Sequence, residues 1–323
     1  MITTRSITLI GLLAISSLAT ATPYSSIFVF GDSTSDNGRR LVLEGIPLAP
    51  YFQGRHSNGP VAVEVFASNL GLNSSSGLTN YAVGGALSGH GNVDPNPLVA
   101  NTGLLDQYQT FTQSHSIADP NALYFIWGGD NDINACQGSS RSACTGTQIS
   151  NVVNNLDTLI GNLSGLGAKH FLVVGSYGGG SNKQTLRDSL ASNLPIEAAL
   201  LQADILYFDA RNVLLDMISA QNPYGFTNTS AANPCYTGNL RGVGGTLCSD
   251  PNSYVFWDTQ GHLTAAAQTI LGNAITAATA TVPEPTSLSL LGLGLAVLGF
   301  SGSRRSRVNL EKSAGNNSTG RKS

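Results

Sequence analysis

Three residues of this chain have the types and placement that nucleophilic catalysis at a carbonyl carbon requires. Ser33 follows the apolar run 27–30 and Gly31, while Asp258 and His262 lie far downstream, separated by three residues. A serine hydroxyl becomes a good nucleophile only when a base accepts its proton and an acid orients that base. We therefore expect Ser33 to be the nucleophile, His262 the general base and Asp258 the orienting acid.

The residues before Ser33 predict how its hydroxyl is presented. The run 27–30 is apolar, β-branched and aromatic, which is typical of a buried strand. Gly31 permits a sharp turn where that strand ends. Ser33 would then lie beyond the carboxyl end of the strand, which is where open α/β sheets bind their ligands.

Four sequence blocks, in this order, resemble those of GDSL-type esterases and lipases of the SGNH hydrolase superfamily. They are FVFGDSTSDNG at 28–38, NYAVGGA at 80–86, WGGDND at 127–132, and FWD with the following histidine at 256–262. Segments 51–55 and 57–60 also resemble the first long loop of that family. The resemblance covers about residues 24–278 and implies ester hydrolysis by a serine nucleophile without a cofactor.

The same resemblance implies an oxyanion hole. Gly85, through its backbone N–H, and Asn131, through its side-chain amide, would join the Ser33 N–H in binding the tetrahedral oxyanion. Gly84 precedes Gly85 directly and is the alternative for the glycine.

Other residues compete for the roles of acid and base. Asp250 is the alternative to Asp258 as the acid that orients His262. His170 opens an apolar run and is expected to be structural. The remaining histidines fall in predicted loops without an adjacent acid: His56, His90 and His115.

The chain departs from the family pattern at two places. Three residues rather than two separate Asp258 from His262, and Gly261 offers a position where a bulge absorbs the additional residue. The segment 175–180, after the predicted fourth strand, is unusually rich in glycine and would change a loop at the rim of the pocket.

Composition restricts the class of protein. The chain has 323 residues, enough for one large α/β domain, with a net charge of −3 and 11% charged residues. This balance argues against nucleic-acid binding. A G-x-S-x-G elbow, a phosphate-binding loop and a metal-binding motif are all missing from the sequence, so we expect neither an α/β-hydrolase nor a metal site.

The N-terminus predicts export. Arg5, the apolar stretch 7–18 and Ala-Thr-Ala at 19–21 are typical of a secretory signal peptide comprising residues 1–21. The hydrolase domain would then occupy residues 22–281.

The C-terminal region resembles a PEP-CTERM sorting signal at 282–307, with Val-Pro-Glu-Pro, a short apolar segment and an arginine cluster. The resemblance implies an exosortase-type partner and a location at the bacterial surface or outside the cell. The apolar segment is shorter than the about 20 residues that a helix needs to cross a membrane. We expect this segment to contact the membrane at least transiently. A plain C-terminal anchor is the alternative, and the polar tail 308–323 is expected to be disordered.

Four cysteines form two local groups in the sequence, Cys136 with Cys144 and Cys235 with Cys248. An even number of cysteines in an exported chain indicates disulfides. Local pairing is the simplest of three connectivities, and free thiols are the alternative.

Strands and helices alternate along the predicted domain. We predict strands at 27–30, 79–83, 122–127, 169–174 and 205–208, and helices at 61–70, 103–112, 147–166, 195–203, 212–220 and 264–280. Pro195 would lie in the first turn of its helix, and Asn131 in a loop. This alternation predicts a flavodoxin-like three-layer α/β sandwich with a mostly parallel five-stranded sheet and helices on both faces.

The sequence therefore predicts an exported serine hydrolase that cleaves carboxylic esters through an acyl-enzyme. Its substrate would be a lipid, a short-chain ester or an acetylated polysaccharide. The alternative is a catalytically silent surface protein that keeps the fold as a binding module.

Overall fold

The computed structural model describes residues 24–137 and 144–280. Backbone contacts divide the chain into two compact units, 1–274 and 275–323, and the described residues of the second, 275–280, form the end of the last helix. The predicted signal peptide, sorting signal and tail lie outside the described residues. Within those residues no helix combines the length and apolar character needed to cross a membrane.

A parallel sheet of five strands forms the centre of the first unit. Its strands are β1 (Ile27–Gly31), β2 (Leu78–Asn80), β3 (Leu123–Trp127), β4 (His170–Gly175) and β5 (Asp204–Asp209). Their order is β2-β1-β3-β4-β5, and every neighbouring pair is parallel. This is the doubly wound order whose ligand crevice opens between β1 and β3.

Helices cover both faces of the sheet. They are α1 (Arg39–Glu44), α2 (Ala62–Asn69), α3 (Leu104–Thr112), α4 (Asp130–Gln137), α5 (Gly146–Gly165), α6 (Ser181–Leu201), α7 (Ala210–Ile218) and α8 (Ala265–Ala280). On one face α3, α4 and α6 pack against α5. On the other face the Phe66 ring of α2 lies 6.2 Å from that of Phe125 in β3. The predicted three-layer sandwich is confirmed.

The core between the sheet and α5 follows from the sequence periodicities. Side chains alternate across a strand, so Phe28 and Phe30 of β1 face this core. In α5 the buried residues recur every three or four positions, from Ile149 through Leu156 to Leu163. Each large apolar side chain buried in this way contributes roughly 1.5–3 kcal/mol by leaving water.

The long helix α6 corrects the prediction that a helix begins at Pro195. It begins at Ser181 and continues through the proline. A proline inside a helix costs about 3 kcal/mol because it lacks an N–H and crowds the preceding turn. Leu186, Leu190 and Leu194 recur every four residues and are buried, so apolar packing outweighs that local cost.

Two short helices were not predicted. The helix α1 follows the Ser33 turn directly, and α4 follows β3. Asn131 therefore lies in the first turn of a helix rather than in a loop. A helix fixes the backbone of Asn131 more firmly than a loop would, which holds its side-chain amide in place.

Candidate active site

Two groups position Ser33 just beyond the end of β1. The Gln107 side chain clamps Gly31, accepting its N–H at 2.9 Å and donating to its carbonyl oxygen at 2.8 Å. The buried Asp32 carboxylate accepts both the N–H and the hydroxyl of Thr34, at 2.9 and 2.8 Å. A side chain at position 31 would approach the Trp127 carbonyl oxygen to 2.8 Å, so the glycine is required for this close passage.

The structure brings the three predicted triad residues into one hydrogen-bonded chain. His262 Nε2 lies 2.8 Å from Ser33 Oγ, and His262 Nδ1 lies 2.7 Å from Asp258 Oδ2. Both distances fall in the range that a nucleophile, its base and the orienting acid require. Asp258 is fully buried, and His262 is 6% exposed.

A tight turn absorbs the additional residue between Asp258 and His262. Gly261 donates its N–H to the Asp258 carbonyl oxygen at 3.0 Å and has a φ of 86°, in the left-handed region that favours glycine. Asp258 Oδ1 accepts the N–H groups of Gln260 and His262, at 2.9 and 3.2 Å. The unusual spacing therefore leaves the acid within reach of the base.

The charges of the acid and the base stabilise each other. Burial alone would raise the pKa of Asp258, but the adjacent His262 and its hydrogen bonds lower that pKa to about 2. Burial alone would lower the pKa of His262, but the charge of Asp258 and its hydrogen bond raise it above the usual 6.5. The arrangement thus favours an imidazolium next to a carboxylate, which is the state formed when His262 takes a proton from serine.

The donors around Ser33 favour Gly85 over Gly84 in the predicted oxyanion hole. The Gly84 N–H is already donated to Asp36 at 2.8 Å. By contrast, the N–H groups of Ser33 and Gly85 donate to no acceptor in the part of the chain that the structure describes. Asn131 donates one amide hydrogen to the Ala86 carbonyl oxygen at 2.9 Å, which leaves the second hydrogen of its NH₂ group for a ligand.

An open cleft of about 520 Å³ extends from Ser33 and His262. The glycine-rich loop after β4 lies at its rim as expected, with Tyr177, Gly178 and Gly179 among the lining residues. The Tyr177 hydroxyl donates to the Gly261 carbonyl oxygen at 3.1 Å. That bond fastens the rim loop to the turn that carries the acid and the base.

Sequence reasoning missed the contribution of Tyr51 to the site. Its hydroxyl donates to Asp258 Oδ2 at 3.0 Å, and its ring meets those of Tyr236 and Trp257 edge-on. Only the resemblance of segment 51–55 to a family loop pointed to this part of the chain, and that signal assigned no role to the tyrosine.

His56 was considered only as a rival base, but the structure places its ring beside that of His262. Its ring centre lies 4.8 Å from that of His262, and the side chain is 1% exposed. Neither ring nitrogen has a hydrogen-bond partner among the described residues. Burial, followed by the nearby His262, holds the pKa of His56 well below 6.5, so its ring is neutral.

The other rivals lie elsewhere in hydrogen-bonded positions. Asp250 caps the 3₁₀ turn Pro251–Ser253 by accepting the Asn252 N–H at 3.2 Å. His90 does have an acid partner, contrary to expectation, because its Nδ1 lies 2.6 Å from Asp106. His170 opens β4 and lies 3.0 Å from Asp204. None of these contacts involves Ser33.

The four cysteines are joined in local pairs, Cys136 to Cys144 and Cys235 to Cys248. The second disulfide lies beside the acid, since Cys235 packs with Tyr51, Tyr236 and Trp257 in one buried cluster.

Comparisons with known protein families agree with the geometry. Residues 27–275, more than half of the chain, match the GDSL-like Lipase/Acylhydrolase family. Residues 281–305 match the PEP-CTERM protein-sorting motif, which indicates an exported protein handled by exosortase-type machinery at the cell surface.

Individual relatives cover the chain to different extents. A GDSL esterase/lipase of Arabidopsis thaliana is 26% identical over 315 residues, covering 76% of this chain and 84% of that protein. Lipase 1 of Photorhabdus luminescens is 36% identical over 129 residues, covering 38% of this chain and 18% of the lipase. The chain therefore spans only a small part of that lipase.

A solved structure of Axe2, an acetylxylan esterase from Geobacillus stearothermophilus, superposes with a TM-score of 0.44 at 13% identity. The superposition covers 79% of this chain and 93% of that one. The family match, by contrast, runs from β1 into α8 and includes Ser33, Asp258 and His262. The chain therefore belongs to the GDSL-like lipase/acylhydrolase family of ester-hydrolysing serine hydrolases.

Proposed function

We propose that the protein hydrolyses carboxylic esters outside the cell through an acyl-enzyme on Ser33. The observation that carries this proposal is the continuous chain from Ser33 Oγ through both ring nitrogens of His262 to Asp258, with links of 2.8 and 2.7 Å. The low pKa of Asp258, about 2, keeps the acid ionised at neutral pH.

The geometry supports a two-stage reaction. Ser33 Oγ attacks the ester carbonyl carbon while His262 Nε2 takes the hydroxyl proton. The carbonyl oxygen becomes an oxyanion that the Ser33 and Gly85 N–H groups and the Asn131 amide bind. The ester C–O bond then breaks as His262 gives the proton to the leaving alcohol, and the acyl group stays on Ser33. In the second stage water gives a proton to His262 and attacks this acyl group, and His262 returns the proton to Ser33 as the carboxylic acid product leaves.

The altered acid–base spacing and the glycine-rich rim loop are the two features that favour a silent binding protein. The turn at Gly261 answers the first, because Asp258 and His262 form a hydrogen bond of 2.7 Å despite the third intervening residue. The polar and apolar groups of the cleft are compatible with short-chain, lipid or acetylated-saccharide esters. We further propose that the C-terminal apolar segment contacts the membrane until the sorting signal is processed.

Labelling with a fluorophosphonate probe tests the nucleophile directly. We expect the mature protein to be labelled at Ser33, and Ser33→Ala to lose both the label and hydrolysis of p-nitrophenyl acetate. Ser114→Ala is the matched control, since Ser114 is exposed at the end of α3. Labelling that persists in Ser33→Ala would assign the nucleophile to another residue. A series of p-nitrophenyl esters and acetyl-xylan then defines the acyl and alcohol preference.

A further inference from the structure

A second cavity adjoins the catalytic cleft on the side away from β1. The two share Gly179 and Arg211 as lining residues, so they are neighbouring parts of one surface. The second cavity is also lined by the start of α6, including Gly180 and Ser181, and by Arg187 and Asp209, among others. Nothing in the proposed reaction uses this cavity.

Arg211 has no acidic partner there. Its Nη1 donates to the Tyr177 carbonyl oxygen at 3.1 Å, and among the described residues no carboxylate oxygen lies within 4.0 Å of its guanidinium. Arg55, by contrast, is paired with Glu64 at 2.7 Å. Burial and then the nearby positive charge of Arg187 lower the pKa of Arg211, and the negative charge of Asp209 offsets only part of this.

Arg187 adds a second positive charge to the cavity. It is 3% exposed, and its Nε has no hydrogen-bond acceptor among the described residues. Its closest carboxylate oxygen, Asp209 Oδ1, is 3.8 Å away and already accepts the backbone N–H of Arg211 at 2.9 Å. Asp209 therefore pairs weakly with Arg187 and forms no ion pair with the Arg211 guanidinium. The other nitrogens of Arg187 donate to two carbonyl oxygens of the rim loop and to Gln184. Arg187 therefore contributes charge to the cavity, and Arg211 is the cation left to contact an anionic ligand.

The sheet determines how far this anionic ligand group would lie from the reacting ester. Ser33 follows β1 and Arg211 follows β5, and β3 and β4 lie between them. Three strand spacings of about 4.8 Å separate β1 from β5 by about 14 Å. The Arg211 side chain reaches back toward β4, where it donates to the Tyr177 carbonyl oxygen, so a substrate that contacts both Arg211 and Ser33 spans more than one strand of the sheet.

The lining of the cleft favours a hydroxyl-rich substrate over a lipid. Beside the apolar Leu214, Ile218 and Phe256, seven amide or hydroxyl side chains line it: Ser33, Thr34, Asn131, Asn134, Tyr177, Thr229 and Gln260. An acyl tail lying along the cleft would displace water from Asn134, Thr229 and Gln260 without replacing its hydrogen bonds, which weakens binding. Saccharide hydroxyls would instead supply donors and acceptors along its length.

We propose that Arg211 and the second cavity bind a carboxylate of an acylated, acidic saccharide whose ester is cleaved at Ser33. The planar guanidinium fork of Arg211 matches a carboxylate, and Arg187 supplies a second positive charge. This inference rests on the proposed function, because it names the substrate class of the same site.

Binding measurements test the carboxylate subsite without any turnover. The background is Ser33→Ala, and the probes are an acetylated oligogalacturonate and the same oligomer with its carboxylates converted to primary amides. We expect calorimetry at low salt to show about tenfold tighter binding of the acid form, and this ratio to fall as salt screens the charges. Adding Arg211→Gln should reduce the ratio to about one. Arg241→Gln removes an exposed arginine outside both cavities and should leave the ratio unchanged.

Equal binding of the two probes, or a ratio that survives Arg211→Gln, would overturn the subsite. Turnover by the wild-type enzyme separates this failure from failure of the proposed function. Hydrolysis of p-nitrophenyl acetate with no preference between the oligomers would support the proposed esterase activity and contradict the carboxylate subsite. A binding preference for the acid form with no hydrolysis of any ester would support the carboxylate subsite and contradict the proposed esterase activity. Arg211-dependent hydrolysis of phosphatidylglycerol vesicles, with no oligomer preference, would assign the arginine to a lipid headgroup and overturn the saccharide proposal.

Discussion

Tyr51 and His262 donate to the same oxygen of Asp258. The tyrosine hydroxyl approaches Oδ2 at 3.0 Å and the imidazole Nδ1 approaches it at 2.7 Å. Burial, followed by the negative charge of Asp258, raises the pKa of Tyr51, so its hydroxyl remains a donor throughout the working pH range. The acid is therefore held by a residue 207 positions earlier in the chain as well as by its own turn.

Tyr51→Phe should lower kcat about tenfold with a smaller change in KM. The substitution removes a buried hydrogen bond to a charged acceptor while keeping the ring that packs on Trp257. Steady-state kinetics on p-nitrophenyl acetate measures the effect, with Tyr224→Phe, an exposed tyrosine, as the control. An unchanged kcat would mean that the Asp258 turn orients His262 without help from Tyr51.

Asp258→Asn should reduce kcat by about 10⁴. The amide favours the imidazole tautomer whose Nε2 is protonated and cannot accept the Ser33 proton. Loss of the carboxylate also removes the charge that raises the pKa of His262. This pKa, measured from the ring-proton resonance of His262, should therefore fall.

In the wild type, activity should decline as the pH drops through the raised pKa of His262. Asp250→Asn should be harmless, and the reverse outcome for the two variants would make Asp250 the acid.

Asn131→Ala should lower kcat by about 10²–10³, as loss of one oxyanion donor does. The side chain is held by its 2.9 Å bond to the Ala86 carbonyl oxygen, so its second amide hydrogen needs no reorientation during the reaction. Asn134→Ala, one turn further along α4, is the comparison for a residue that only lines the cleft. An effect of Asn131→Ala confined to KM would place it in ground-state binding.

His56→Phe should make folding stability less sensitive to acid. The folded-state pKa of His56 lies well below the unfolded value of 6.5, so only the unfolded chain binds this proton as the pH falls below 6.5. His56 therefore contributes stability above pH 6.5 that is lost on acidification, at up to about 1.4 kcal/mol per pH unit. Urea titrations between pH 7 and pH 5 should show a shallower decline for the variant. Parallel declines would indicate that His56 binds a proton in the folded state.

Cys235→Ser should destabilise the fold by about 3 kcal/mol, since the disulfide to Cys248 closes a loop of 13 residues. Activity at moderate temperature should fall with stability, because Cys235 belongs to the buried cluster that holds Tyr51 and Trp257. Thermal unfolding measures the loss. Non-reducing peptide mapping of the wild type should find Cys235 linked to Cys248, and a Cys144–Cys235 peptide would contradict both pairings.

Local sequence patterns predict those parts of the fold that one element can specify alone. The apolar, β-branched and aromatic run of β1 favours a buried strand, and the stripe from Ile149 to Leu163 favours a helix with one buried face. The predicted start of α6 was wrong because Pro195 suggested that a helix begins there. Three leucines packed against another helix determine the true extent of α6. That packing is a tertiary property that no local window contains.

The residues of the candidate site also divide into those that the sequence predicts and those that only the folded structure reveals. Ser33, Asp258 and His262 were recognised by residue type and by family resemblance. Tyr51, which donates to Asp258, and Gln107, which holds Gly31 before Ser33, were not recognised. A tyrosine and a glutamine in ordinary surroundings carry no chemical signature. Each acts through a bond to a residue far away in the sequence, 207 positions for Tyr51 and 76 for Gln107. Only the assembled fold brings such pairs together.

The separation of 229 residues between Ser33 and His262 has a consequence for a chain that crosses a membrane from its N-terminus. The nucleophile emerges early and the base almost last, so a partly translocated chain contains a serine that nothing can activate. The Ser57 hydroxyl donates to the Leu263 carbonyl oxygen and Asn58 accepts the Ala265 N–H, which means that the emerging base block docks onto loops already outside. The proposed hydrolysis therefore requires almost the whole domain to have emerged, because His262 reaches Ser33 only in the assembled fold.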